Sequence, residues 1–161
     1  MKQHIAIIGV EQNKKQIAKK LADTLDMMLF DCHDYICFNN NMSVEQLIKK
    51  SSITYLKKQV SKAICELDDL QNMVFCSYDE KLLSLDDLQR LSTYAYVIYL
   101  FDKSSLQNDG ENGVLKGEKF LRLCVCANKR YGKHCDFALD IANMSDDEVI
   151  EKICEYLKTL F

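Results

Sequence analysis

The residues best placed to do chemistry lie in a polar turn near the amino terminus, Gly9-Val10-Glu11-Gln12-Asn13-Lys14-Lys15-Gln16. A phosphate-cradling loop of the pattern G-x-x-x-x-G-K-[ST] needs inward-pointing amides, a lysine on the phosphates and a hydroxyl on Mg2+. Gly9 matches the first glycine and Lys15 the lysine, whereas Lys14 stands for the second glycine and Gln16 for the hydroxyl. Gly9, Asn13, Lys14, Lys15 and Gln16 are therefore the positions expected to meet a phosphate. A lysine forced into left-handed backbone at position 14 would cost roughly 1–2 kcal/mol, so a different, non-cradling loop is the expectation. A second group, Asp31 and His33, follows in Leu29–Ile36. An imidazole there can move protons near neutral pH. Each has a plain structural alternative: a solvated lysine among Lys14, Lys15, Lys19 and Lys20, a strand-end carboxylate bonded locally, and a structural histidine in a turn.

The eight cysteines carry less chemistry. Cys76, Cys124, Cys126 and Cys154 sit inside apolar runs, where thiols act as small buried hydrophobes. No C-x-x-C pair occurs, and no second Cys/His pair stands at ligand spacing, so no metal site is expected. His134 and Cys135 are sequence neighbours whose side chains diverge on regular backbone, which disfavours a catalytic pair. A redox sensor would need an exposed thiol of low pKa, and none is marked.

The elements that must position these residues alternate in period. Apolar runs at His4–Gly9, Met28–Cys32, Met73–Ser77, Tyr94–Phe101 and Asp136–Ala142 read as strands buried on both faces of a parallel sheet. Helical spacing fills Lys14–Leu25, Ser43–Lys50, Ser52–Leu67, Asp86–Leu91 and Ser145–Leu160. Ser43 with Gln46 forms a capping-box pattern, and Ser145 precedes Asp146, Asp147 and Glu148, a charge order that suits the helix dipole. Strand and helix in alternation imply a three-layer α/β fold, and ligands then bind at the carboxyl ends of the strands. Asp102–Gly117 reads as a lid-like loop and holds three of the five glycines. Tyr94, Tyr96 and Tyr99 read as core and sheet surface rather than a stacking platform.

At 161 residues the chain suits one domain, 1–161, and its 48% hydrophobic and 28% charged residues are an ordinary globular balance. A net charge of −3 argues against broad nucleic-acid binding, which needs a basic face. No apolar run approaches the ~20 residues of a membrane span, and the start lacks a signal-peptide pattern, so a cytoplasmic location is expected.

Four further segments resemble one family. Leu29-Phe30-Asp31-Cys32-His33-Asp34-Tyr35-Ile36 resembles the "F-[IV]-D-x-D-x-x-I" segment of shikimate kinases. Asn41–Leu47 is similar to its "G-x-S-I-x-E-I" helix start, and Arg130–Asp140 to "L-Y-x-E-[VI]-A-D-x-x-[IV]-D". Ser145–Ile150 looks like "S-x-E-E-[VI]-[VI]". The resemblance spans nearly the whole chain. It implies a P-loop, nucleoside-monophosphate-kinase-like fold with a five-stranded parallel sheet in the order 2-3-1-4-5, flanking helices and a lid. It also implies a nucleotide site and, for an active member, ATP and Mg2+. The family would give Asp31 and Lys15 catalytic roles and place the acceptor near Asp31, His33, Lys57 and Arg130.

The departures from that pattern fall on the chemistry. The family's Gly-Gly-Gly run after the third strand reads Cys76-Ser77-Tyr78-Asp79-Glu80 here, so Tyr78 and Glu80 would fill space and the carboxylates would repel an acidic acceptor. Leu56 and Ala127 stand where the resemblance puts two acceptor arginines, and His33 replaces the second aspartate of the D-x-D pair. Lys57 or Lys58 would partly replace the charge but not the bidentate fork, and Arg130 stands three residues beyond the second position. The lid-like loop carries no arginine. Losing one preorganised donor typically costs about 10²–10³ in rate. The sequence therefore leads to a shikimate-kinase-like protein without efficient kinase activity, which binds a small molecule, a nucleotide or a protein partner. The alternative is an active ATP-dependent small-molecule kinase with an altered acceptor.

Overall fold

The computed structural model describes residues 2–9, 13–79, 82–102 and 134–161. The chain begins with strand β1 (His4–Gly9), helix α1 (Lys14–Leu25), strand β2 (Met28–Asp31) and helix α2 (Cys32–Asn40). Helices α3 (Val44–Lys50) and α4 (Ile53–Glu66) precede β3 (Met73–Cys76), α5 (Leu85–Tyr94) and β4 (Ala95–Phe101). Strand β5 (Phe137–Asp140) and helix α6 (Asp146–Lys158) complete the described elements. Among the described residues all strand pairs are parallel, and the sheet order is β2-β3-β1-β4-β5, as the resemblance implied.

Alternation along β1 builds both faces of the sheet. Ala6 and Ile8 point into a core with Leu56, Val60, Ile64, Phe75 and Leu88 beneath α2–α5. Ile5 and Ile7 point into the other core, with Ile17, Leu21, Ile98, Val149 and Ile153 beneath α1 and α6. Central strands β1 and β3 are buried throughout, as expected of a parallel sheet. β2 and β5 are not, because they form the two edges, and each is only half-covered or exposed along its length.

Most helix starts follow local rules. Ser43 with Gln46, Ser84 with Asp87 and Ser145 with Glu148 each form a two-way capping box. α1 ends where Asp26 adopts a left-handed conformation and its amide returns to Ala22 O. α2 is the element that sequence patterning misses. Only Cys32 and Ile36 are buried on it, too few for a periodic stripe. Consequently β2 stops at Asp31 instead of running to Cys32, and Asp31 becomes the N-cap of the next helix. Residues 103–117 of the lid-like loop, with Cys124, Cys126, Ala127 and Arg130, lie outside the described residues.

Candidate functional site

The carboxyl edge of the sheet gathers the first turn, the β2–α2 junction and the segment after β3. Gly9 closes β1 with φ +135°, and a Cβ placed there would lie 1.9 Å from Leu100 O of β4. The glycine is thus demanded by the close approach of two strands, whatever the loop binds. Residues 10–12 lie outside the described residues, so the loop is fixed here by its two flanks. On the far flank Asn13 takes the N-cap position of α1 without a side-chain cap bond. Gln16 is exposed on the first turn of α1.

The two lysines that follow Asn13 go to different places. Lys14 is not left-handed: it is the first residue of α1, and positive-φ non-glycine positions among the described residues are Asp26, Asn41, Asn72 and Asn143. The residue is 6% exposed. Its ammonium donates to Gly9 O at 2.9 Å, Ser77 Oγ at 3.0 Å and Tyr78 O at 3.2 Å, joining the ends of β1 and β3. Three oxygen partners offset the cost of removing an ammonium from water. Ser77 was not among the residues singled out by spacing. It enters because the β1–β3 pairing carries Cys76 alongside Ile7, and Ser77 donates its amide to Ile7 O.

Lys15 turns toward the β2–α2 junction. Its ammonium lies 2.8 Å from both Asp34 oxygens and 3.5 Å from Asp31 Oδ2. The Asp31 side chain is 6% exposed, and its Oδ1 accepts the Asp34 amide at 2.9 Å as the N-cap of α2. The hydrogen bond with Lys15 holds the Asp34 carboxyl below its ordinary value, and Asp34 in turn raises the Lys15 ammonium. Asp34 escaped sequence reading because its position matters only once α2 exists. The signal was an aspartate three residues before another polar group at a helix start.

His33 lies on the same turn, with Nδ1 3.4 Å from Asp34 Oδ1 and its ring packed on Tyr78 at 5.1 Å between centroids. Cys37, one helical turn on, places Sγ 4.0 Å from both ring nitrogens. Asp31, His33 and Asp34 form a group whose ligand atoms all lie within 4.8 Å, a juxtaposition that ligand spacing in the sequence did not reveal. Tyr78 occupies the segment after β3: the ring packs on His33 and against the α2–α5 core. Burial raises its hydroxyl above the ordinary value. On α4, Leu56 is 3% exposed within that core, while Lys57 is exposed beside it. The cysteines behave as buried apolar groups where α2 and β3 meet: burial pushes the Cys32 thiol up to about 12, and Cys76 is buried.

No family model matches the chain. A shikimate kinase of Alkaliphilus oremlandii is 26% identical over 101 residues, 62% of this chain and 60% of the relative, so the match spans less than two-thirds of that protein. A shikimate kinase of Thermoanaerobacter pseudethanolicus is 22% identical over 148 residues, 87% of this chain and 86% of the relative. The solved shikimate kinase of Acinetobacter baumannii, in complex with shikimate, superposes with a TM-score of 0.80 at 14% identity over 99% of this chain and 94% of that one. The chain is thus similar to shikimate kinases at 22–26% identity, and it shares their fold. The described strands follow the order β2-β3-β1-β4-β5, and the first turn delivers two lysines onto protein oxygens. None of the described helices is long and apolar enough to cross a membrane.

Proposed function

We propose that this protein uses a shikimate-kinase-like scaffold to bind a small ligand or a protein partner and has lost efficient phosphoryl transfer. The observation that carries this reading is the first turn of α1. Lys14 holds Gly9 O, Ser77 Oγ and Tyr78 O, and Lys15 holds Asp34 and Asp31. Phosphoryl transfer is catalysed by positioning and by positive charge aimed at the transferring group. Here an incoming phosphate competes with the buried charge-assisted bonds of Lys14, worth roughly 1.5–3 kcal/mol each, and with the exposed Lys15 pair, worth no more than about 1 kcal/mol. The acceptor side supports the same reading. Leu56 is a core residue where the resemblance calls for an arginine, and Tyr78 with His33 fills the segment after β3. Two missing charge-assisted contacts would leave shikimate binding no tighter than about millimolar.

The test is release of ADP by the purified protein with Mg-ATP and shikimate. Turnover far below about 1 per second, the lower end for kinases, is expected, and turnover in the kinase range overturns the reading. A second reading, an active ATP-dependent kinase with an altered acceptor, draws on the buried Asp31 carboxylate beside the first turn. Thermal unfolding with Mg-ATP tests the second reading: bound nucleotide at about 100 times its Kd would add about 2.7 kcal/mol of stability, and no shift at millimolar Mg-ATP overturns that reading.

A further inference from the structure

An active shikimate-type kinase implies Mg2+ beside the phosphates, and the described residues do not fit one. Mg2+ asks for near-octahedral oxygen ligands at about 2.0–2.1 Å and gives up water reluctantly. The oxygens that would serve it belong to Asp31 and Asp34, which with His33 form the group of ligand atoms within 4.8 Å. Those oxygens are already engaged. Asp31 Oδ1 accepts the Asp34 amide at 2.9 Å, and the Lys15 ammonium lies 3.5 Å from Asp31 Oδ2 and 2.8 Å from both Asp34 oxygens. Gln16, in place of a hydroxyl, is exposed. The N-terminus of α2 opens at the same carboxylates, and a helix N-terminus disfavours a further cation.

We propose that the Lys15 ammonium is a tethered replacement for the divalent cation: it neutralises Asp31 and Asp34 from within the chain and keeps metal off this edge of the sheet. The mutual effect of Lys15 and Asp34 on their protonation agrees with this pairing. The assignment is separate from the catalytic reading, because a kinase that is slow for other reasons would still take up a divalent ion here.

Mn2+ is the probe, followed by the electron paramagnetic resonance signal of the free ion and by calorimetry. The wild-type protein is expected to show no saturable uptake at sub-millimolar Mn2+. Lys15→Met keeps the aliphatic stem and removes the charge, and it should bind Mn2+ at least about tenfold more tightly than wild type. Adding Asp34→Asn to that variant should abolish the gain. Thermal unfolding of Lys15→Met checks the fold, and Lys15→Gln is the substitute if Lys15→Met does not fold. Tight wild-type uptake that Asp34→Asn removes would overturn the proposal. Equal, negligible uptake by wild type and by a folded Lys15 variant would overturn it as well, since the carboxylates would then be no masked metal site.

Discussion

The first and second strand-to-helix junctions of this protein solve the same problem in opposite ways. α2 begins by local rules: Asp31 caps it, and Asp34 places negative charge in its first turn. α1 begins against them, with two lysines, no acidic residue in its first turn and no side-chain cap bond. Its charges are compensated by chain that is distant in sequence, Ser77 and Tyr78 for Lys14, and the α2 carboxylates for Lys15. The cationic helix start and the anionic one complete each other. A helix end that breaks the capping rules thus marks the place where tertiary structure supplies the missing partner, and here it coincides with the candidate site.

The comparison breaks most severely at Gly9. Gly9→Ala places a Cβ 1.9 Å from Leu100 O at φ +135°, so a loss beyond about 4 kcal/mol, or failure to fold, is expected by urea unfolding. A stable Gly9→Ala variant would mean that the first junction tolerates a different strand spacing. Lys14→Met comes next. It keeps the stem but removes the donor to three oxygens, and a loss of about 1.5–3 kcal/mol is expected in the same experiment. An unchanged midpoint would show that Lys14 is no brace between β1 and β3.

The smallest effect belongs to the Lys15–Asp34 pair, in which both side chains are more than half exposed. Its folded carboxyl value lies below the ordinary one, so its contribution is present above the ordinary carboxylate range and is lost as pH falls through the folded value. Wild type should exceed Asp34→Asn by no more than about 1 kcal/mol at neutral pH, with the gap closing in acid and in high salt. A gap that persists unchanged in acid would locate the effect in helix capping rather than in the ion pair.

The amino-acid sequence by itself determined the sheet, the strand order through its family resemblance, and the helices with clear stripes. Strands β1 and β3 are legible because continuous burial requires continuous apolar runs, and Ser43 and Ser145 begin helices through partners three residues away. Gly9, Lys14, Lys15, Asp31 and His33 could be singled out as the chemical residues because their types and order survive in a linear reading. Only the tertiary structure decided what they touch. α2 lacked a periodic face, so Asp34 had no readable position until the chain turned at Asp31. The partition of the two lysines depended on strands β1 and β3 lying side by side and on α2 starting beside α1, contacts between residues 63 positions apart in one case and 19 in the other. Side-chain charge is written in the sequence, but the oxygen that neutralises it is chosen by packing across the sheet, where no local pattern reaches.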